Sequence, residues 1–387
     1  MRFIDIIFYL IVAMLPAGLH AQINPGADQA DLYYPLLKGK QIGVVANQAS
    51  LTGGVNIVDA LVQQEIRVIR IFSPEHGFRM SAEAGQIIGN GVDSVTGIEV
   101  VSLYGARKKP VPGDMEHLDL VLFDIQDVGV RFYTYISTLS YVMEACAEAG
   151  VPLVVLDRPN PNGFYIDGPV LEKRFSSFVG LHPVPVVYGM TIGEYATMVN
   201  GEGWLKNGVK CNLHVIPVKN YTHQDRCVLP AKPSPNLPNE DAILLYPSLC
   251  FFEGTYVSVG RGTPFPFQVY GHPGLKYGKF IFTPAGIPGV SAHPPLEGER
   301  CFGEDLRGYY MKNPGESGKI TLTWLLKSYK SWKVKNTFFT DYFEKLAGNS
   351  ILRQQITQGK SEKEIRQSWQ AGIEKFKKIR KKYLLYK

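Results

Sequence analysis

The strongest constraint in this sequence is an alternation. Between residues 41 and 157, short apolar runs rich in Val, Ile and Leu recur, and helical patterns separate several of them. Such runs suit strands buried on both faces. Strands interleaved with helices call for a mostly parallel sheet with crossover connections. The runs place strands at 41–46, 66–72, 99–103, 118–123 and 152–156, and the spacing predicts helices at 56–64 and 138–149. In the second helix Leu139, Val142, Met143 and Cys146 repeat at three-to-four spacing, and Gly150 stops it. The expected fold class is therefore α/β, with a Rossmann-like, mostly parallel sheet.

Polar residues fall where such runs end. Asn47, Glu75, Tyr104, Asp124 and Asp157 all sit at or just past the carboxyl end of an expected strand. In open parallel sheets that edge borders the ligand crevice, so these five are read as lining one rim. The first strand is not followed by GxGxxG, and GxxxxGK[ST] does not occur, so no dinucleotide or nucleotide cofactor is expected.

The second half changes character. From Pro230 the chain is rich in Pro and Gly, first in PSPNLP (233–238) and then in GRGTPFP (260–266), which places a domain boundary near Pro238. The expected organisation is a segment 1–21, a Rossmann-like domain at 22–238 and a smaller α/β auxiliary domain at 239–387. The chain ends in an amphipathic helix with Ile365, Trp369, Ile373, Phe376, Ile379 and Tyr383 on one stripe. From residue 361 onward, nine Lys or Arg face three Glu, which accounts for the whole net charge of +6. The rest of the chain is balanced, which argues against nucleic acid as a partner. The basic face of the helix reads as a solvated surface rather than a membrane contact.

Residues 1–21 read as a secretory signal. Arg2 precedes an apolar run at 6–15 that is short for a bilayer span, and small residues lead to Ala21. Cleavage there gives an exported protein, periplasmic or secreted; retention as an anchor is the alternative. No later segment is apolar and long enough to span. The five Cys form no CxxC pair. Cys146 and Cys250 sit in apolar surroundings as core thiols, whereas Cys211 and Cys227 have the option of pairing in an oxidising compartment.

Four clusters carry candidate chemistry. In SPEHGFR (73–79) a strand runs into Pro74, then a carboxylate, an imidazole and a glycine. Glu75, delivered at a strand end among aromatics, is placed to act as a general acid, or else Glu75 and His76 brace the loop. In DIQDVGVRFYTY (124–135), Asp127 and Arg131 either pair with each other or Arg131 offers its fork to a ligand carboxylate. In DRPNPNG (157–163), Asn160 offers an amide to hydroxyl or acetamido groups. FEGTY (252–256) and GRGT (260–263) bring a second carboxylate, Glu253, and a second guanidinium, Arg261, from the other half. The eight His are dispersed without HExxH, so no metal is expected, and no GxSxG elbow is present.

Taken together, SPEHGFR, SLYG (102–105), FDIQDVGVRFYTYISTL (123–139), LDRPNPNG (156–163), YGMTIGEYA (188–196), PSPNLP and FEGTYVSVGRGT (252–263) resemble the exo-β-N-acetylmuramidases of the NamZ type. The resemblance implies release of N-acetylmuramic acid from the non-reducing ends of peptidoglycan fragments, in a cleft between a Rossmann-like and an auxiliary domain. It implies Glu75 and Tyr104 as catalytic groups. Candidate substrate contacts are His76, Arg79, Asp127, Arg131, Asn160, Glu253 and Arg261. The sequence departs from the family pattern at Ala84-Gly85-Gln86, at Tyr256 and at Val259. Two other readings remain open on the residues: a non-catalytic periplasmic binding protein for wall sugars, and a related N-acetylhexosaminidase. Muramic acid carries a lactyl carboxylate that glucosamine lacks, so an Arg facing it would separate the two sugars.

Overall fold

The computed structural model describes residues 22–79 and 89–386. The signal pattern at 1–21 and Ala84-Gly85-Gln86 lie outside the described residues.

Seven strands form the main sheet: β1 (Gln41–Ala46), β2 (Arg67–Ser73), β3 (Gly91–Val92), β4 (Glu99–Ser102), β5 (Leu120–Asp124), β6 (Leu153–Leu156) and β7 (Leu213–Ile216). Their order is β3-β4-β2-β1-β5-β6-β7. All neighbours are parallel except the edge pair β3 and β4. The chain builds outward from β1 through β2 and β4, then returns to the other side of β1 for β5, β6 and β7. The strand order therefore reverses at β1, the point at which doubly wound sheets open a crevice beyond their carboxyl ends.

Both faces of the sheet are covered, which is why its strands lack a polar alternation. Val44, Ile71, Leu122 and Val154 are in register across four strands and pack into one core. Their neighbours Val45, Phe72, Phe123 and Val155 point the other way into a larger one. The larger core runs on into the second half through Leu245, Phe251, Phe267 and Phe343, so the two halves share one apolar interior.

The helices follow from local signals. Helix α1 (Ile57–Gln63) is capped by Asn56, whose side chain accepts from the Val58 N–H at 3.1 Å. Helix α2 (Tyr135–Ala149) starts a turn earlier than its periodicity suggests and ends on Gly150 at a left-handed φ of 69°. Helix α3 (Ile192–Glu202) opens with a Thr191–Glu194 capping box. Helix α4 (Glu240–Leu249), capped by Asn239, opens the second half just beyond Pro238. Strands β8 (Val269–His272), β9 (Phe280–Phe282) and β10 (Cys301–Asp305) make a small antiparallel sheet in the order β8-β10-β9. Helix α5 (Tyr342–Ala347) follows, and helix α6 (Glu362–Arg380) buries Ile365, Trp369, Ile373 and Phe376. The chain end then crosses back to the first half. The Leu385 N–H donates to Glu194 at 2.7 Å, and the Tyr386 hydroxyl donates to Asp157.

All five Cys are free and buried, Cys211 and Cys227 among them; burial pushes both of these thiols up to about 12. Among the described residues no helix is long and apolar enough to cross a membrane.

Candidate active site

Strand β2 ends at Ser73, and Pro74 turns the chain so that Glu75 projects beyond the sheet edge. The Gly77 N–H donates to the Pro74 carbonyl at 3.2 Å and closes the turn. His76, between them, holds a φ of 74°. A non-glycine residue there stores roughly 1–3 kcal/mol of strain and persists only where its surroundings impose it. The turn is therefore fixed by its packing, and Glu75 is aimed with it. The Thr134 hydroxyl, just ahead of α2, donates to Glu75 Oε2 at 2.9 Å.

Tyr104 comes in from the neighbouring strand end, two residues past β4. Burial, and then the negative charge of the adjacent Glu75 carboxylate, push its phenol above the ordinary tyrosine range. It therefore keeps its proton near neutral pH and serves as a hydrogen-bond donor. Phe178 is tilted against Tyr104 with ring centroids 6.3 Å apart, and Tyr141 stacks on the same phenylalanine.

The second half supplies the facing wall. Glu253 and Arg261 form an ion pair at 2.7 Å, and the Arg261 guanidinium lies 5.0 Å from the Phe267 ring centre. Tyr342, at the start of α5, closes one side. Glu75, Tyr104, Thr134, Glu253, Arg261 and Tyr342 thus line one cleft of about 520 Å³, with Lys108, Phe178, Tyr246 and Lys345 around them. The cleft extends outward past Tyr256 and Val259. Both positions that depart from the family pattern within the described residues therefore border it. His76 lies behind Glu75; burial pushes its imidazole below the ordinary histidine range and leaves it neutral. No group of three or more His, Cys, Asp or Glu among the described residues is placed to hold a metal ion.

Four sequence-predicted contacts are not brought to this cleft. Arg79 is clamped by Asp93 at 2.6 Å and Asp59 at 2.8 Å, beside β3. Asp127 is buried and accepts from the Gly129 N–H at 2.7 Å and from the Tyr188 hydroxyl. Burial pushes its carboxyl up to about 6. It does not pair with Arg131, which is fully buried elsewhere. Arg131 donates to the carbonyls of Pro169, Val184, Leu346 and Ala347 at 2.7–2.9 Å. It thereby ties the carboxyl end of α5, where carbonyls are left unpaired, to the first half. Gly348 allows this: a Cβ there would come within 2.7 Å of the guanidinium. Asn160 donates to the Met190 carbonyl at 2.7 Å and accepts from the Asn162 N–H at 2.8 Å. Its amide is pressed on Gly129, where a Cβ would come within 2.2 Å of it.

Three of the five strand-end residues also turn inward. Asn47 donates to the Tyr135 hydroxyl at 3.0 Å. Asp124 is fully buried in an ion pair with Arg158 at 2.6 Å. Asp157 accepts from Thr191, the Gly193 N–H and Tyr386, and burial pushes it up to about 6. Only Glu75 and Tyr104 of that rim face the cleft. Sequence reasoning assigned no role to Thr134, although it lies inside the 124–135 motif. It missed Lys108, Phe178, Tyr342 and Lys345, which carry no local signal because their position depends on how the halves pack.

Fold and cleft together define a two-domain α/β protein whose site is a carboxylate-centred crevice at a sheet's carboxyl edge, closed by its second half. The comparisons with known proteins make this specific. The N-terminal and C-terminal models of the exo-β-N-acetylmuramidase NamZ family match residues 42–241 and 244–386. The chain therefore belongs to the NamZ family and is a glycoside hydrolase. It is 40% identical over 374 residues to the peptidoglycan β-N-acetylmuramidase NamZ of Bacillus subtilis (strain 168), covering 92% of this chain and 89% of that one. A crystal structure of a DUF1343 family protein from Bacteroides fragilis superimposes with a TM-score of 0.88 at 45% identity, covering 95% of this chain and 99% of that one. A second such protein from the same organism gives 0.76 at 27% identity, covering 94% and 99%.

Proposed function

We propose that this protein is an exo-acting β-N-acetylmuramidase. It hydrolyses terminal, non-reducing N-acetylmuramic acid from peptidoglycan fragments outside the cytoplasm, where the signal pattern directs it. The observation that carries the reading is the convergence of Glu75 and Tyr104, from adjacent strand ends, on a cleft whose other wall holds the Glu253–Arg261 pair. Glycoside cleavage needs a proton for the leaving oxygen and stabilisation of an oxocarbenium-like centre. Glu75 is the acid, held in aim by Thr134. The protonated Tyr104 phenol, alongside Glu75, donates a hydrogen bond that positions water or the developing charge.

The cleft also suits an anionic sugar. Arg261 is engaged by Glu253, but Lys108 and Lys345 line the cleft with no carboxylate partner among the described residues. Lys108 sits 5.1 Å over the Phe178 ring, beside Tyr104. These ammonium groups are the candidates for the lactyl carboxylate.

The test is incubation with a disaccharide of N-acetylmuramic acid β-linked to N-acetylglucosamine, with sugars separated by chromatography. Free N-acetylmuramic acid should appear, and Glu75→Gln should slow its release about a thousandfold while leaving ligand affinity in place. Binding without release by the wild type would mark a wall-sugar binding protein. Equal release from a matched glucosaminyl disaccharide would mark a general N-acetylhexosaminidase.

A further inference from the structure

A smaller recess of about 60 Å³ opens off the cleft at Glu75 and shares Phe132, Thr134, Tyr246 and Arg261 with it. One side is built by the 233–238 loop, seated by the Tyr133 hydroxyl donating to the Pro233 carbonyl at 2.7 Å. A turn from Ser234 to Leu237, closed at 3.1 Å, then sets Asn236 in the wall. Phe132, Leu237, Tyr246 and Phe267 give the recess an apolar lining.

Three polar atoms on its wall residues have no hydrogen-bond partner among the described residues: His76 Nδ1, Asn236 Oδ1 and Arg261 Nη1. His76 and Asn236 are only 7% and 2% exposed. Buried polar atoms are nearly always paired, so three around one small recess point to a group that enters it.

We propose that the recess receives the 2-acetamido group of the sugar whose glycosidic bond is cut. This rests on Glu75 being the acid of the proposed hydrolysis. The bond cut is at C1 and the acetamido nitrogen is on C2, the adjacent ring carbon, so the acid and the acetamido pocket must border each other. Glu75 lines both the cleft and the recess. The lining matches an acetamide group by group. Asn236 Oδ1 accepts the amide N–H, Arg261 Nη1 donates to the amide carbonyl, and the rings pack on the methyl. The neutral His76 imidazole is a further partner for the amide. At about 60 Å³ the recess is far smaller than the 520 Å³ cleft beside it, which suits it to a short amide rather than to a sugar ring.

The experiment measures binding, so it does not depend on turnover. N-acetylmuramic acid, N-propionylmuramic acid and muramic acid are titrated into the full-length protein by isothermal calorimetry. The N-acetyl sugar should bind at least about tenfold more tightly than either analogue. Asn236→Leu should bring N-acetylmuramic and muramic acid to within about threefold of each other. Equal binding of the N-propionyl sugar, or an unchanged ratio in the variant, overturns the proposal and leaves the recess to solvent. If Asn236→Leu does not fold, the wild-type series decides alone. Tight N-acetyl preference without any turnover supports the recess while sinking the hydrolytic reading; turnover with flat ratios sinks the recess alone.

Discussion

The two sides of the sheet's carboxyl edge are made of the same kinds of residue and do opposite things. On the β2–β4 side, Glu75 and Tyr104 project into the cleft and meet few protein partners. On the β1–β5–β6 side, Asn47, Asp124 and Asp157 are fully buried, each held by hydrogen bonds or an ion pair to neighbouring elements. A polar residue at a strand end is thus equally suited to serve a ligand or to staple the fold. The difference is whether another part of the chain covers it. Arg158 and the returning Tyr386 cover Asp124 and Asp157. The second half stops short of Glu75 and leaves a gap there.

Removing a carboxylate from each side should therefore give opposite phenotypes. Asp124→Ala strands the buried Arg158 charge and should lower stability by about 3–5 kcal/mol in urea unfolding. Glu75→Gln, by contrast, should leave the unfolding midpoint unchanged and slow turnover about a thousandfold. If Asp124→Ala unfolds like the wild type, the stapling role of that side is wrong.

Asp127 sharpens the contrast through pH. Its folded carboxyl holds its proton up to about 6, against an ordinary value of 3.8. Between those values the folded state binds more protons than the unfolded one, so this contribution to stability is present at low pH and is lost as pH rises towards 6. The loss amounts to roughly 3 kcal/mol for a shift of about two pKa units. Asp157 is shifted in the same direction to a similar value, so Asp127→Asn should reduce the decline between pH 4 and 6 without abolishing it. Chemical denaturation across that range checks this; an unaltered slope would refute it.

The smallest effect is expected at Tyr104. Tyr104→Phe keeps the ring against Phe178 and removes the hydroxyl beside Glu75. It should lower kcat by about tenfold to a hundredfold, with little change in thermal midpoint. A variant as active as the wild type would reduce Tyr104 to a packing residue.

Much of the first half was legible in the sequence because its signals are local. The apolar runs end within two residues of the strands at Gln41–Ala46, Arg67–Ser73, Glu99–Ser102, Leu120–Asp124 and Leu153–Leu156. Strands β3 and β7 escaped notice. One is two residues long, and the other lies at the sheet edge with His214 exposed, so neither makes a buried apolar run. The SPEHG turn was legible for a similar reason, since Pro, Glu and Gly at a strand end dictate a projecting carboxylate.

Arg131, Asp127 and Asn160 were read as ligand contacts because dense polar motifs past a strand look alike whether they bind a substrate or the protein itself. Sequence by itself determined the parallel sheet, the identity of its carboxyl edge and the Glu75 turn, because each follows from residues near one another in the chain. Tertiary structure decided which polar residues remain open to a ligand. That choice depends on segments far away in the chain: α5 receiving Arg131, Tyr386 closing over Asp157, and Glu253 with Arg261 facing Glu75 across the cleft. Burial and hydrogen-bond satisfaction are properties of the packed chain, so no local pattern encodes them.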